Sequence, residues 1–126
     1  MIENLFMDAR TIIEGIESGD ILPKDLILNT DIDAYLDNRD SDGEFERKLL
    51  TAFDDVADIG NEQIDGYEEL HLKIFNCIDS LVGVSELSCY VAEDFEVILK
   101  SIYKGLSNEF LENMLKQYLS GQLPNA

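Results

Sequence analysis

The sequence predicts an all-α protein, a single compact bundle of five to six helices that spans residues 1–126. Apolar residues recur at three- and four-residue steps through most of the chain, which is the period of an amphipathic helix. The alternation typical of a strand is hard to find, and residues 82–91 are the one stretch that could contain it. A hydrophobic content of 45% with eleven Phe and Tyr residues is enough to build one core.

The first predicted helix covers residues 2–17 and ends at Gly19. Its apolar stripe consists of Ile2, Leu5, Phe6, Ala9, Ile12, Ile13 and Ile16. Pro23 fits the first turn of a short second helix, because its missing N–H would be unpaired there in any case. Residues 29–42 are the least regular part of the chain; a short helix over residues 34–37 is left open, and a polar loop is expected after it.

Four further helices are expected, separated by short loops. Ser41 and Glu44 form a capping-box pattern before the first of them. Ser85 or Ser88 is the expected N-terminal cap of the helix over residues 85–105. Ser107 is the expected cap of the helix over residues 107–121. The predicted helices and their terminating glycines are 44–60 (Gly60), 62–82 (Gly83), 85–105 (Gly105) and 107–121 (Gly121).

Acidic charge is the most unusual property of the sequence. The chain has 27 Asp and Glu residues against nine Lys and Arg, a formal net charge of −18. Residues 30–69 contain fourteen of the acids and three basic residues, a net charge of −11. Because self-repulsion on this scale opposes compaction, the charge predicts a basic protein partner. The same charge disfavours direct binding to nucleic acid or to an anionic membrane.

The sequence contains neither a membrane-spanning apolar run nor a signal-peptide pattern, so a cytoplasmic location is expected. The chain has one histidine, His71, and no glycine-rich phosphate loop, so no catalytic constellation is apparent. We therefore expect a protein that is not an enzyme and needs no cofactor. Cys77 and Cys89 could form a disulfide, but two buried free thiols are the preferred prediction.

One segment resembles the start of an EF-hand calcium loop, Asn38-x-Asp40-x-Asp42-Gly43. However, its first position is Asn, and its twelfth is Leu49 instead of the bidentate Glu. An acidic loop without a specific metal is the preferred interpretation, with weak calcium binding left open.

Two tyrosines, Tyr35 and Tyr67, lie among acidic residues, which is the setting of many binding hot spots. A half-buried structural tyrosine would look the same in sequence. The predicted partner-binding residues are Asp31, Asp33, Tyr35, Asp37, Asp40, Asp42, Glu44, Glu46, Asp54, Asp55, Asp58, Asp65, Tyr67 and Glu69.

The order of features over residues 2–80 resembles the helical colicin-D-like immunity pattern. That pattern has an N-terminal amphipathic helix, a glycine turn (here Ser18-Gly19-Asp20-Ile21), a short helix (here 23–28) and then acids around a tyrosine. The chain thus resembles small acidic bacterial toxin-immunity proteins of the colicin-type and contact-dependent growth inhibition families. The resemblance implies an inhibitor that binds a basic nuclease toxin and blocks its nucleic-acid site.

Three alternatives remain open on the sequence. A nucleic-acid mimic of the anti-restriction or anti-CRISPR type would place its carboxylates in an elongated double row, whereas an immunity protein would cluster them. An enzyme or metal-binding module would use the acids between Asp31 and Glu46. A generic acidic helical interaction domain would need the charge only for solubility.

Overall fold

The computed structural model describes residues 8–124, which form seven α-helices and no strand. The all-α prediction is confirmed, and the prediction of five to six helices is wrong. The helices are α1 (Ala9–Ser18), α2 (Lys24–Asn29), α3 (Ile32–Ser41), α4 (Gly43–Asp55), α5 (Tyr67–Leu81), α6 (Ser85–Lys104) and α7 (Glu109–Leu119). A 3₁₀ turn, Asn61–Gln63, precedes α5.

Helices α5 and α6 form the centre of the fold. Helix α5 packs against α1, α2 and α6, while α6 also packs against α4 and α7. Buried apolar side chains from all seven helices form a hydrophobic cluster, in which Ile12, Leu70, Ile74, Phe95 and Tyr118 are almost completely enclosed. Helix α6 contributes residues to both of the clefts that are described below.

Helix α1 follows the predicted stripe over the part that the structure describes. The Asp8 carboxylate caps it by accepting a hydrogen bond from the Thr11 N–H at 2.9 Å. Gly19 ends it in the left-handed conformation, as predicted. The predicted start at residue 2, with Ile2, Leu5 and Phe6, lies outside the described residues.

Helix α3 corrects the prediction of a short helix followed by a polar loop. Its buried positions are Ile32, Leu36 and Arg39, which follow the i, i+4, i+7 spacing of one helix face. Because the third position is an arginine, the apolar stripe is incomplete in sequence. Asn38 and Asp40 also belong to this helix, so the segment does not form the continuous loop of an EF-hand.

Several predicted helix ends are shifted. Asp42 caps α4 in place of Ser41, with its carboxylate accepting from the Phe45 N–H at 3.0 Å. Asn108 caps α7 in place of Ser107. The predicted helix 62–82 is interrupted because Gly66, at φ +77°, precedes α5 in the left-handed conformation. Helices α4 and α7 end before their predicted glycines, at Asp55 and Leu119. Helix α6 begins at Ser85 without a side-chain cap.

A buried polar network joins α3 to α6 and α7. Arg39 donates to both oxygens of Asp94, with Nη1–Oδ2 at 2.9 Å and Nη2–Oδ1 at 2.5 Å. The Tyr118 hydroxyl donates to Asp94 Oδ2 at 2.6 Å. The Arg39 guanidinium also lies over the rings of Phe45 and Tyr90, at 4.7 and 4.8 Å from their centroids. The network anchors the acidic helix α3 to the core in a defined orientation.

Both cysteines are free thiols, as predicted. Cys77 is half-buried, but Cys89 is exposed, which corrects the prediction that both are buried. Within residues 8–124, no helix is long and apolar enough to cross a membrane.

Candidate partner-binding surface

Helix α3 presents a row of carboxylates. Asp33, Asp37 and Asp40 are spaced by four and three residues, which places them on one face of the helix, and all three are exposed. The Tyr90 hydroxyl of α6 donates a hydrogen bond to Asp40 Oδ1. The row on α3 therefore leads directly onto α6.

Helix α6 extends this acidic surface with a row of its own. Glu86, Tyr90 and Glu93 follow at i, i+4 and i+7, on one helix face. Glu93, Tyr90 and Asp40 line a cleft of about 390 Å³ together with Glu46 of α4. Glu93 also lines a second cleft, between α5 and α6, so it is the point where the acids of four helices converge.

The α5–α6 cleft has a volume of about 540 Å³ and combines aromatic, apolar and acidic groups. Helix α5 contributes Tyr67, Glu68, His71, Leu72 and Phe75. The facing residues are Asn61 and, from α6, Cys89, Ala92, Glu93 and Glu96. A mixed lining of this kind is typical of a recognition site, in which apolar groups supply contact area and a few polar groups supply specificity.

The pKa values of Glu93 and Tyr90 are raised, in part by the negative charge of neighbouring carboxylates. Burial raises the pKa of Glu93, and the neighbouring carboxylates of Asp94 and Glu96 raise it further. The hydrogen bond to the Asp40 carboxylate, with burial, raises the pKa of Tyr90 to about 12. A cation from a partner would relieve the repulsion at this position.

The two predicted hot-spot tyrosines are fixed inside the protein. The Tyr35 hydroxyl donates to the Pro124 carbonyl oxygen at 2.7 Å and accepts from Arg39 Nη1 at 3.3 Å. The Tyr67 hydroxyl donates to Glu96 Oε1 at 3.2 Å, and its ring is buried. Both therefore have structural roles, although Tyr67 also forms part of the wall of the α5–α6 cleft.

Three predicted binding residues stabilise local structure. Asp31 caps α3 by accepting from the Ala34 N–H at 3.1 Å, and Asp42 caps α4. Glu44 forms an exposed ion pair with Arg47 at 2.8 Å. An exposed pair of this type is weak, so Glu44 remains able to exchange its partner.

The other predicted acids lie elsewhere along the chain. Asp58 Oδ1 contacts Lys104 Nζ at 2.7 Å, which brings the end of α4 and the exposed Asp54 and Asp55 close to the end of α6. Since an α-helix rises 1.5 Å per residue, Lys104 is about 21 Å along the axis from Tyr90. Asp65 and Glu69 are exposed near the start of α5. Of the predicted set, Asp40 and Glu46 share one cleft with Glu93, and Tyr67 shares the α5–α6 cleft with it.

Sequence reasoning missed Glu68, Glu86, Glu93 and Glu96. The signal for α6 was present, because Glu86, Tyr90 and Glu93 have the spacing of one helix face. The convergence of this face with α3, α4 and α5 depends on the tertiary structure.

The surface combines carboxylates with aromatic and apolar side chains. Among residues 8–124, no group of three or more His, Cys, Asp or Glu side chains is arranged to hold a metal ion. His71 stacks on Phe75, with ring centroids 4.6 Å apart. The His71 ring therefore forms, with Phe75, part of an aromatic wall of the α5–α6 cleft.

A small acidic helical protein with carboxylates gathered around one face has the characteristics of the toxin-immunity class. The chain belongs to the family described as immunity protein PIM1, whose family model matches residues 11–125. The resemblance to toxin-immunity proteins seen in the sequence is therefore confirmed. No curated protein and no solved structure matches the chain significantly.

Proposed function

We propose that this chain binds a cognate basic toxin, a nuclease, and neutralises it through the acidic surface around Glu93. The observation that carries the proposal is the convergence of carboxylates from α3, α4, α5 and α6 at Glu93, which lines two adjoining clefts. Membership of an immunity-protein family supports the proposed inhibitory function, because an immunity protein acts by binding its toxin.

The charge of the surface fits a nuclease partner. A nuclease binds phosphates through Lys and Arg side chains, and the same groups would pair with carboxylates. Complementary charge also accelerates encounter, to about 10⁸–10⁹ M⁻¹s⁻¹ at low salt. An inhibitor that must capture its toxin before damage occurs benefits most from a fast association rate.

The interface that we propose is centred on Asp33, Asp37, Asp40, Glu46 and Glu93. The acids at the end of α4 and the start of α5 are further surface groups that a large toxin domain would also reach. They are Asp54, Asp55, Asp58, Asp65 and Glu69. The proposed compartment is the cytoplasm, since an inhibitor of a nuclease must act where the toxin meets nucleic acid. Delivery of that toxin by contact-dependent growth inhibition is part of the same proposal.

The nucleic-acid mimic is less well supported by the geometry. Helices α3 and α6 each carry only a short row of acids, and the acids near Glu93 come together from different helices. A mimic of duplex phosphates needs two long parallel rows.

The test begins with capture of the partner. The chain is immobilised, exposed to lysate of its native host at low salt, and eluted with a salt gradient. Any protein retained stoichiometrically is identified, purified and assayed for cleavage of DNA and RNA with increasing amounts of the chain. We expect one basic nuclease whose activity is abolished at a 1:1 ratio. A retained protein that does not cleave nucleic acid, a nuclease that stays active in the complex, or no retained protein would overturn the proposal.

A further inference from the structure

The α5–α6 cleft contains two kinds of carboxylate. Glu96 is already engaged, because its Oε2 contacts Lys100 Nζ at 2.8 Å and its Oε1 accepts from the Tyr67 hydroxyl at 3.2 Å. Within the described residues, Glu68 and Glu93 form no ion pair, and both are exposed. The cleft therefore offers two uncompensated carboxylates, one from each of the helices that enclose it.

Aromatic rings cover the α5 wall between these carboxylates. The His71 and Phe75 rings are stacked at 4.6 Å, and the Tyr67 ring lies 6.0 Å from that of His71. Leu72 stands beside them with 61% of its surface exposed. The cleft thus combines an aromatic wall with negative charge on both sides.

We propose that the α5–α6 cleft is an anchor pocket for an arginine side chain of the basic partner. An arginine guanidinium is planar, stacks on aromatic rings and presents several N–H donors to carboxylates. A lysine ammonium has the charge but not the planar stacking surface, and it is more strongly hydrated. The guanidinium would stack against the His71–Phe75 wall and donate to Glu68 and Glu93, while Leu72 would cover its methylene groups.

Three further points support an arginine side chain as the occupant of the cleft. The pKa of Glu93 is raised by burial and by neighbouring carboxylates, and an arriving cation would remove that unfavourable interaction. Arginine is also among the residues most enriched at the centres of protein interfaces, in pockets that exclude water. The cleft, at about 540 Å³, is large enough to enclose such a side chain.

The inference rests on the proposed function for the identity of the partner, but a model ligand tests the pocket without any toxin. The isotope-labelled chain is titrated with N-acetyl-arginine amide, N-acetyl-lysine amide and N-acetyl-citrulline amide, while amide shifts are followed by NMR. Citrulline has the shape of arginine without its charge. We expect saturable shifts confined to the cleft for arginine, binding at least threefold weaker for lysine, and no saturable shifts for citrulline.

Matched variants test whether arginine binding depends on the carboxylates of Glu68 and Glu93. Glu68→Gln with Glu93→Gln should reduce arginine binding at least tenfold, whereas Asp25→Asn, a change of an exposed acid on α2, should leave it within twofold. Equal responses to arginine and citrulline, shifts distributed over all acidic segments, or unchanged binding by the double variant would overturn the pocket. A captured toxin that binds the double variant as tightly as the natural chain would overturn the pocket and leave the proposed function intact.

Discussion

At the scale of single residues, the carboxylates of this protein divide into structural and surface groups. Asp94 is fully buried and holds Arg39 and Tyr118, while Asp8, Asp31 and Asp42 cap helices. Glu93 lies at the surface, where partial burial and then the neighbouring Asp94 and Glu96 carboxylates raise its pKa. A carboxylate kept in an unfavourable field contributes nothing to folding, and this is the behaviour expected of a residue that serves a partner.

The first prediction concerns the buried ion pair. Asp94→Leu should destabilise the fold by about 3–5 kcal/mol, because it leaves the Arg39 guanidinium buried without its counter-charge. Arg39→Met combined with Asp94→Leu should cost less than the sum of the two single changes, by at least about 1 kcal/mol. Urea unfolding followed by circular dichroism measures all three variants. Strictly additive losses would show that the two side chains do not act as a pair.

The second prediction concerns Glu93. Because its pKa is raised in the folded state, its ionised form costs stability, and this cost appears as the pH rises through that pKa. The charged groups and the histidine that face it are Arg39 and Asp40 of α3, Glu46 of α4, Glu68 and His71 of α5, and Asp94 and Glu96 of α6.

Glu93→Gln should therefore raise the free energy of unfolding at pH 7 by about 0.2–1 kcal/mol, the range of exposed charge interactions. The melting temperature would rise by about 1–4 °C. At pH 3.5 the gain should disappear, since the natural side chain is then mostly protonated. The same melting experiment on Asp25→Asn is the control, and a loss of stability in Glu93→Gln at pH 7 would contradict this description of the site.

At the scale of elements, the fold class and most helices could be predicted from periodicity and glycine punctuation. Helix α3 could not, because its inward face ends in Arg39, whose burial depends on Asp94 fifty-five residues later. Helix ends were shifted by one or more residues where Asp42 and Asn108 cap in place of nearby serines. The candidate site was half predictable. The acids of α3 and α4, with Glu68, belong to the dense acidic segment 30–69, whereas the position of Glu86 and Glu93 beside them depends on how α6 packs against α4 and α5.

The third prediction compares two glycines at helix ends. Gly105 ends α6 at φ +75°, a conformation that costs an L-residue about 1–2 kcal/mol. Gly43 begins α4 without a positive φ, and a Cβ there would meet open space. We expect Gly105→Ala to lower the free energy of unfolding by about 1–2 kcal/mol and Gly43→Ala to raise it by about 0.4–1 kcal/mol. Chemical denaturation distinguishes the two, and changes of the same sign would contradict the assigned backbone conformations.

At the scale of the whole molecule, charge is distributed for interaction more than for stability. Within residues 8–124, five of the nine Lys and Arg residues have carboxylate partners: Arg39, Arg47, Lys73, Lys100 and Lys104. The remaining basic groups are too few to balance the excess of acids, so a strong negative field remains around the protein. Such a field attracts basic proteins over distances up to the Debye length, about 8 Å at physiological salt.

The central claim is that the acidic surface around Glu93 captures a basic toxin. The most direct measurement is the association rate constant between the chain and the captured nuclease, from about 0.05 to 1 M NaCl. Two triple variants carry equal charge changes: Asp33→Asn, Asp37→Asn and Glu93→Gln on the proposed surface, and Glu14→Gln, Asp25→Asn and Glu109→Gln outside it.

We expect the surface triple variant to associate at least tenfold more slowly at low salt and the control triple variant less than threefold. The difference should vanish near 1 M salt, where the Debye length is about 3 Å. Equal slowing of both variants would mean that net charge alone attracts the toxin. An association rate independent of both salt and the surface variant would contradict the account.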